Sequence, residues 1–225
     1  MERNYGCDEP GGLTSAEGRH YTHHAIHLAG LMSWLGAFFL LFPVFFPSLA
    51  RGEGPVVAFL GDSLTAGYTL PASAAYPAFL ARSLGITAIN AGVNGDTTAG
   101  GLARLDRDIL AHRPRIVVVE LGINDHIRRI PAAQSLQNLE EIARRVRQAG
   151  ARLVLLHVRP PVGQDQQLPG FRDLARRYEG TLVEDLLRGI IGDPSLVEGI
   201  HPNALGQQKI ADRLRPILSK LIPAF

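Results

Sequence analysis

Ser63 follows Gly61 and Asp62 at the point where the apolar run Val56–Leu60 stops, and His201 lies far along the chain in Glu198-Gly199-Ile200-His201-Pro202-Asn203. Acyl transfer needs a hydroxyl nucleophile, an imidazole that takes and returns its proton, an acid that orients the imidazole, and donors for the developing oxyanion. Ser63 supplies the hydroxyl and His201 the imidazole, and Glu198 is close enough in sequence to reach the ring from a single turn of chain. The Ser63 N–H, the Gly95 N–H and the Asn124 side-chain amide are the candidate oxyanion donors. A glycine suits the second of these places because backbone must approach the substrate without a Cβ in the way. Ser63 also has a plainer reading, in which it caps the helix after a tight turn; the stretch alone leaves both open.

These groups are delivered by an alternation of strands and helices. The run 56–60, bounded by Pro55 and Gly61, lacks polar alternation, as a central parallel strand covered on both faces does. A helix is expected over 72–84 with Gly85 as its stop, then a strand over 86–90 that runs into the glycine loop Gly92-Val93-Asn94-Gly95. Asp96 or Thr97 can cap the next helix, which carries Leu102, Leu105, Ile109 and Leu110 at helical spacing. The stretch 115–122 is β-branched and almost wholly apolar, the clearest strand of the chain, and stops at Gly122-Ile123-Asn124-Asp125. An amphipathic helix over 131–149, a strand over 152–158, a helix over 171–178, a weak strand over 181–183 and a last helix over 205–221 follow, with Pro216 expected to kink or shorten the last. Such alternation predicts parallel pairing, right-handed crossovers and a three-layer α/β/α sandwich on a sheet of about five strands.

At 225 residues, 46% of them hydrophobic and 20% charged, the chain has the length and composition of one globular domain with an appendage. No charged residue occurs from Leu28 to Ala50, and the run ends in Ser48-Leu49-Ala50 before Arg51, small residues where a signal peptidase reads. Residues 1–50 are therefore expected to be a tail plus a cleaved export signal, giving a periplasmic or secreted enzyme domain over 51–225. An uncleaved anchor at 28–50 in the inner membrane is the alternative. The polar leader is long for a signal, so it is either a cytoplasmic tail or the true start is Met32. His20, His23, His24 and His27 share one helical face, but the stretch has little else to fold with, and no metal site is expected. Cys7 is the only cysteine and precedes the apolar run, so it is not at a lipid-attachment position.

Without residues 1–50 the chain has 21 Lys and Arg against 17 Asp and Glu, a mild +4 with the arginines scattered along helices such as Arg144, Arg145 and Arg147. That pattern is a solvated face, not a nucleic-acid groove, and leaves loose contact with anionic lipid headgroups conceivable. A non-catalytic binding module could use the same glycine loops to cradle a phosphate, but it gives no reason for His201 and Asn124 beside them.

In order, Gly61-Asp62-Ser63-Leu64, Gly92-Val93-Asn94-Gly95-Asp96, Gly122-Ile123-Asn124-Asp125 and His201-Pro202 resemble the four blocks of the GDSL-type esterases and lipases, also called SGNH hydrolases. The resemblance covers nearly all of residues 55–222. Within that family, Gly61 through Tyr68, Ser73-Ala74-Ala75-Tyr76-Pro77, Val119-Glu120-Leu121-Gly122 and Gly199-Ile200-His201-Pro202-Asn203 look most like the bacterial periplasmic thioesterase I, lysophospholipase and arylesterase group. The resemblance implies a flavodoxin-like fold, a Ser-His-acid triad and hydrolysis of small-molecule acyl esters and thioesters with neither metal nor cofactor; a monomer is expected. A carbohydrate O-acetylesterase shares every block and differs only in pocket shape. The family has aspartate where this chain has Glu198, so Asp193 or a purely backbone-supported histidine stands as the alternative to Glu198. The loop from Pro160 to Leu168 lacks the family's tyrosine and is shorter, so chain-length preference does not carry over. Asp62 and Asp125 are expected to be hydrogen-bonding supports, and His112, His126 and His157 to lie outside the chemistry.

Overall fold

The computed structural model describes residues 54–222. The four-histidine stretch, Cys7, the apolar run 28–50 and the expected boundary at residue 50 lie outside the described residues. Among the described residues, no helix is long and apolar enough to cross a membrane.

Strand β1 (Val56–Gly61) is an inner strand of the sheet. It pairs in parallel with β2 (Thr87–Gly92) on one side and β3 (Ile116–Glu120) on the other, and β4 (Arg152–Leu156) and β5 (Thr181–Val183) extend the sheet in parallel beyond β3. The strand order is β2-β1-β3-β4-β5. The order reverses between β1 and β3, and such a switch point leaves a crevice beyond the carboxyl ends of the strands. Gly61 sits level with Gly92 of β2 and Glu120 of β3, so three strands end at one height.

Both faces of the sheet are covered, which is why β1 and β3 read as unbroken apolar runs. Ala58, Leu60, Val117 and Val119 pack on one face against Leu105 of α3 (Thr98–Asp108), Leu139 and Ile142 of α5 (Ala132–Gln148) and Phe171 of α6 (Leu168–Arg177). Val57, Phe59, Val118 and Leu156 pack on the other against Leu80 of α2 (Tyr76–Leu84) and Ile210 and Leu214 of α7 (Ala204–Leu221). Two short helices, α1 (Ser63–Ala66) and α4 (Ile123–Ile127), follow β1 and β3 directly. The three-layer α/β/α sandwich with five parallel strands is thus the architecture.

Three expectations from sequence differ in detail. The helix expected from Ala72 is a 3-10 turn, Ala72–Ala74, followed by extended Ala75 and then α2. Pro77 is the reason: it has no N–H to bond one turn back, so the helix restarts with the proline in its first turn. Helix α6 starts earlier than expected because the Asp165 carboxylate accepts the N–H groups of Gln167 and Leu168 at 3.2 and 3.1 Å, while Pro169 fits its first turn. Helix α7 continues through Pro216 to Leu221 and is not shortened there. An antiparallel pair of two-residue strands, β6 (Val197–Glu198) and β7 (His201–Pro202), has no counterpart in the sequence reading.

The turn after β1 packs backbone on backbone. A Cβ on Gly92 would lie 2.1 Å from Ala66 N and 2.6 Å from its Cα. No side-chain rotation relieves that overlap, so Gly92→Ala is expected to lower stability by about 1–3 kcal/mol. Urea unfolding measures it, and an unmoved midpoint contradicts the packing.

Candidate active site

Ser63 is the first residue of α1, where the chain leaves β1 at the carboxyl edge of the sheet. The helix cap belongs to Asp62, whose Oδ1 accepts the Leu64 N–H at 2.9 Å, so the capping reading of Ser63 is corrected. Freed from that task, the Ser63 hydroxyl lies 3.0 Å from His201 Nε2, across 138 residues of sequence. Gly67, with φ of 75°, closes the single turn in the left-handed conformation that glycine adopts without strain. Its neighbour Tyr68 stacks on the imidazole, ring centroids 4.3 Å apart and planes inclined by 29°.

His201 is carried by the β6–β7 hairpin immediately before α7. Asn203 anchors that segment twice: Oδ1 accepts the Leu205 and Gly206 N–H groups at 3.0 and 3.1 Å, and Nδ2 donates to the Ser195 carbonyl at 2.9 Å. Partial burial holds the His201 pKa below the ordinary imidazole value of 6.5. A neutral ring beside a serine hydroxyl can accept its proton.

Glu198 is the cross-strand partner of His201 in the hairpin, with an exposed side chain. Among the described residues no hydrogen bond joins its carboxylate to the imidazole. Asp193 is occupied elsewhere: its Oδ1 accepts from Ser195 N–H at 3.0 Å and Ser195 Oγ–H at 2.6 Å, and these bonds lower its pKa.

Asn124 sits in α4, beyond the end of β3. Its Nδ2 donates to Asp62 Oδ2 at 2.8 Å and to the Asp96 carbonyl at 2.9 Å, which draws it between the residue before Ser63 and the residue after Gly95. Gly95 has φ of 74°, and its carbonyl is held by Arg128 Nη2 at 2.6 Å. Ser63, Gly95, Asn124 and His201 all line one cavity of about 860 Å³ at the sheet's carboxyl edge. The structure therefore brings these four together, with Glu198 beside them on the hairpin. No group of three or more His, Cys, Asp or Glu that could hold a metal occurs among the described residues.

Sequence reasoning missed most of the scaffold beneath the site. Arg104 is buried: its Nε pairs with Asp96 Oδ2 at 2.8 Å, while Nη1 and Nη2 donate to the Ala91 and Gly61 carbonyls at 2.6 and 3.0 Å. One guanidinium thus ties the ends of β1 and β2 to the Gly95 loop. Glu120, the lone charge in the apolar run of β3, is fully buried against Asp62 and Thr65. Its isolation in that run was the available signal. Gln207 of α7 accepts the Tyr76 N–H at 2.9 Å and donates to the Leu64 carbonyl at 3.0 Å, fixing α1 from below.

The other singled-out residues stay outside the constellation. Asp125 accepts the Thr98 N–H at 2.9 Å and its hydroxyl at 2.5 Å, capping α3 from α4. His126 lies in α4, with Nε2 3.2 Å from the Val162 carbonyl. His157 is buried just past β4, its Nε2 3.1 Å from Asp165, and burial lowers its pKa.

Residues 59–209 match the GDSL-like Lipase/Acylhydrolase family. The chain is 36% identical over 172 residues to the thioesterase 1/protease 1/lysophospholipase L1 of Escherichia coli K12, covering 72% of this chain and 83% of that protein. It is 32% identical over 165 residues to an arylesterase of Vibrio mimicus, covering 68% of this chain and 82% of that one. Among solved structures, a crystal structure of TesA superposes with a TM-score of 0.70 at 31% identity, covering 74% of this chain and 99% of the other.

Because burial disfavours the imidazolium, the His201 ring is expected to titrate with a midpoint below 6.5. Following its carbon-bound protons by NMR checks this, and a midpoint above that value contradicts the described environment.

Proposed function

The chain belongs to the GDSL-like lipase/acylhydrolase family, and on that footing we propose that it is a serine esterase that hydrolyses acyl esters and thioesters through Ser63, His201 and Glu198. The observation that carries the reading is the 3.0 Å contact between Ser63 Oγ and His201 Nε2 at the wall of the cavity. His201 removes the hydroxyl proton as Ser63 attacks the acyl carbonyl. The tetrahedral oxyanion is stabilised by the N–H groups of Ser63 and Gly95 and by the Asn124 amide. His201 then returns the proton to the departing alcohol or thiol, leaving an acyl-Ser63 ester. Water, deprotonated by the same imidazole, attacks that ester and releases the carboxylic acid. No step calls on a metal or a cofactor.

Glu198 is assigned the orienting role because it stands directly opposite His201 in the hairpin. The loss of Asp193 to the Ser195 turn supports the same choice.

The cavity wall favours an aliphatic acyl chain over an acetyl group on a sugar. Tyr68, Ile127, Val162, Ile191 and Ile200 are exposed large apolar residues, and all five line this one cavity. Apolar rims of this kind also suit brief contact with a membrane surface from which an amphiphile is drawn. In the proposal the domain acts as a monomer on the periplasmic side, after export directed by the apolar run 28–50.

Hydrolysis of p-nitrophenyl acetate, octanoate and palmitate tests the assignment. Ser63→Ala is expected to lower kcat by about 10⁴-fold or more, and an equal rate removes it. Octanoate is expected to exceed acetate in kcat/KM, whereas the reverse order favours the O-acetylesterase alternative. Glu198→Gln is expected to cost orders of magnitude in kcat, on the order of 10⁴ for a fully engaged triad. An unaffected rate assigns the orientation of His201 to the hairpin backbone and Tyr68.

A further inference from the structure

Asp62 and Glu120 are both fully buried, at 0% exposure, and their carboxyl groups are in direct contact. Three of their four oxygens receive hydrogen bonds. Asp62 Oδ1 accepts from Leu64 N–H at 2.9 Å and Oδ2 from Asn124 Nδ2 at 2.8 Å. Glu120 Oε2 accepts from Asp62 N–H at 3.3 Å and from Thr65 Oγ1 at 3.0 Å, and Tyr76 Oη lies 2.9 Å behind that hydroxyl. Glu120 Oε1 is buried and receives no hydrogen bond from the described residues.

Two carboxylates sealed side by side cannot both ionise, because each anion loses hydration and repels the other. One proton must therefore stay with the pair. An amide and a backbone N–H both donate to Asp62, which favours its anion. On Glu120 the empty Oε1 is the place where a proton turns a stranded acceptor into a donor. Burial first, and the neighbouring carboxyl after it, push the Glu120 pKa well above the usual carboxylate range, and burial raises Asp62 as well. The other charged group facing Asp62, the Asp96 carboxylate, is neutralised by Arg104 at 2.8 Å.

We propose that Glu120 is the protonated member of a one-proton carboxyl pair whose anionic member, Asp62, fixes the plane of the Asn124 amide, making Glu120 a positioning residue for oxyanion stabilisation. The proposal rests on the serine-esterase reading given above. Both Nδ2 hydrogens of Asn124 are engaged in the free protein, one by the Asp62 carboxylate and one by the neutral Asp96 carbonyl. The charge-assisted bond is the stronger of the two. As negative charge grows on the substrate oxygen, the Asp96 carbonyl is the partner released, and the bond to Asp62 keeps the amide aimed. The proton on Glu120 bridges to Asp62, so the anion stays in place without a second charge beside it.

The test joins infrared spectroscopy with steady-state kinetics on the same set of purified proteins. Wild type at pH 8 is expected to show a protonated-carboxyl C=O band that disappears in Glu120→Gln, and absence of that band from wild type overturns the shared proton. Glu120→Leu removes the donor and is expected to lower kcat for p-nitrophenyl octanoate by about 10–100-fold with KM within about twofold, the mark of an interaction made only in the transition state. Glu120→Gln, whose amide can still donate to Asp62, is expected to restore most of that loss. Full kcat in Glu120→Leu, or no rescue by glutamine in a variant that melts like wild type, overturns the positioning role. Should Glu120→Leu not fold, Asp62→Asn decides instead: it is expected to lose about 10–100-fold in kcat at unchanged KM, and wild-type kcat there rejects the proposal. If Ser63→Ala and wild type are equally active, the esterase reading fails, while the infrared band still reports on the proton.

Discussion

The parallel register of three strands is the constraint on which the rest depends. Gly61, Gly92 and Glu120 stand at the same level at the carboxyl edge of the sheet. Each strand then turns directly into a segment that carries a polar group: Ser63 after β1, Gly95 after β2, Asn124 after β3. A slip of one residue in a parallel strand would send every one of its side chains to the opposite face. The two apolar clusters, with Ala58 and Leu60 on one side and Val57 and Phe59 on the other, oppose any such slip. The geometry of the site is therefore a by-product of where the core is buried.

The edge itself is held by buried polar groups rather than by apolar contact. Arg104 spans the ends of β1 and β2 and the Asp96 loop, Gln207 reaches from α7 to the backbone around α1, and Glu120 and Asp62 join β3 to the Ser63 turn. Such groups are costly to bury unless satisfied, and most of these are satisfied by one another's backbone. That mutual satisfaction limits the movement of Ser63 relative to Asn124. The side of the cavity formed by residues 158–163 and 187–192 has fewer such ties, and more of its side chains are apolar or exposed.

Most of the fold and the positions of Ser63, Gly95, Asn124 and His201 were legible in the sequence, because strand and helix alternate with glycine stops and each polar group stands beside one. What was not legible is the set of long-range partners. Glu120 in an apolar run and Arg104 on an otherwise ordinary helix stand out only as charges, and nothing local says which carboxyl or carbonyl they meet. The hairpin bearing His201 escaped notice because two-residue strands have no periodicity to read. Tyr68 looked like the tail of a motif, and its stacking on the imidazole depends on how Gly67 turns the chain. The start of α2 was misjudged because the alanine-rich composition of 72–75 outweighed the restriction that Pro77 imposes.

The imidazole arrives on the final hairpin, whereas the hydroxyl arrives with the opening strand. During synthesis every strand of the sheet emerges from the ribosome before residue 201 does. A nascent chain can thus complete its parallel sheet before the imidazole has joined it. The two partners of the 3.0 Å Ser63–His201 contact therefore meet only once the chain has grown past the sheet.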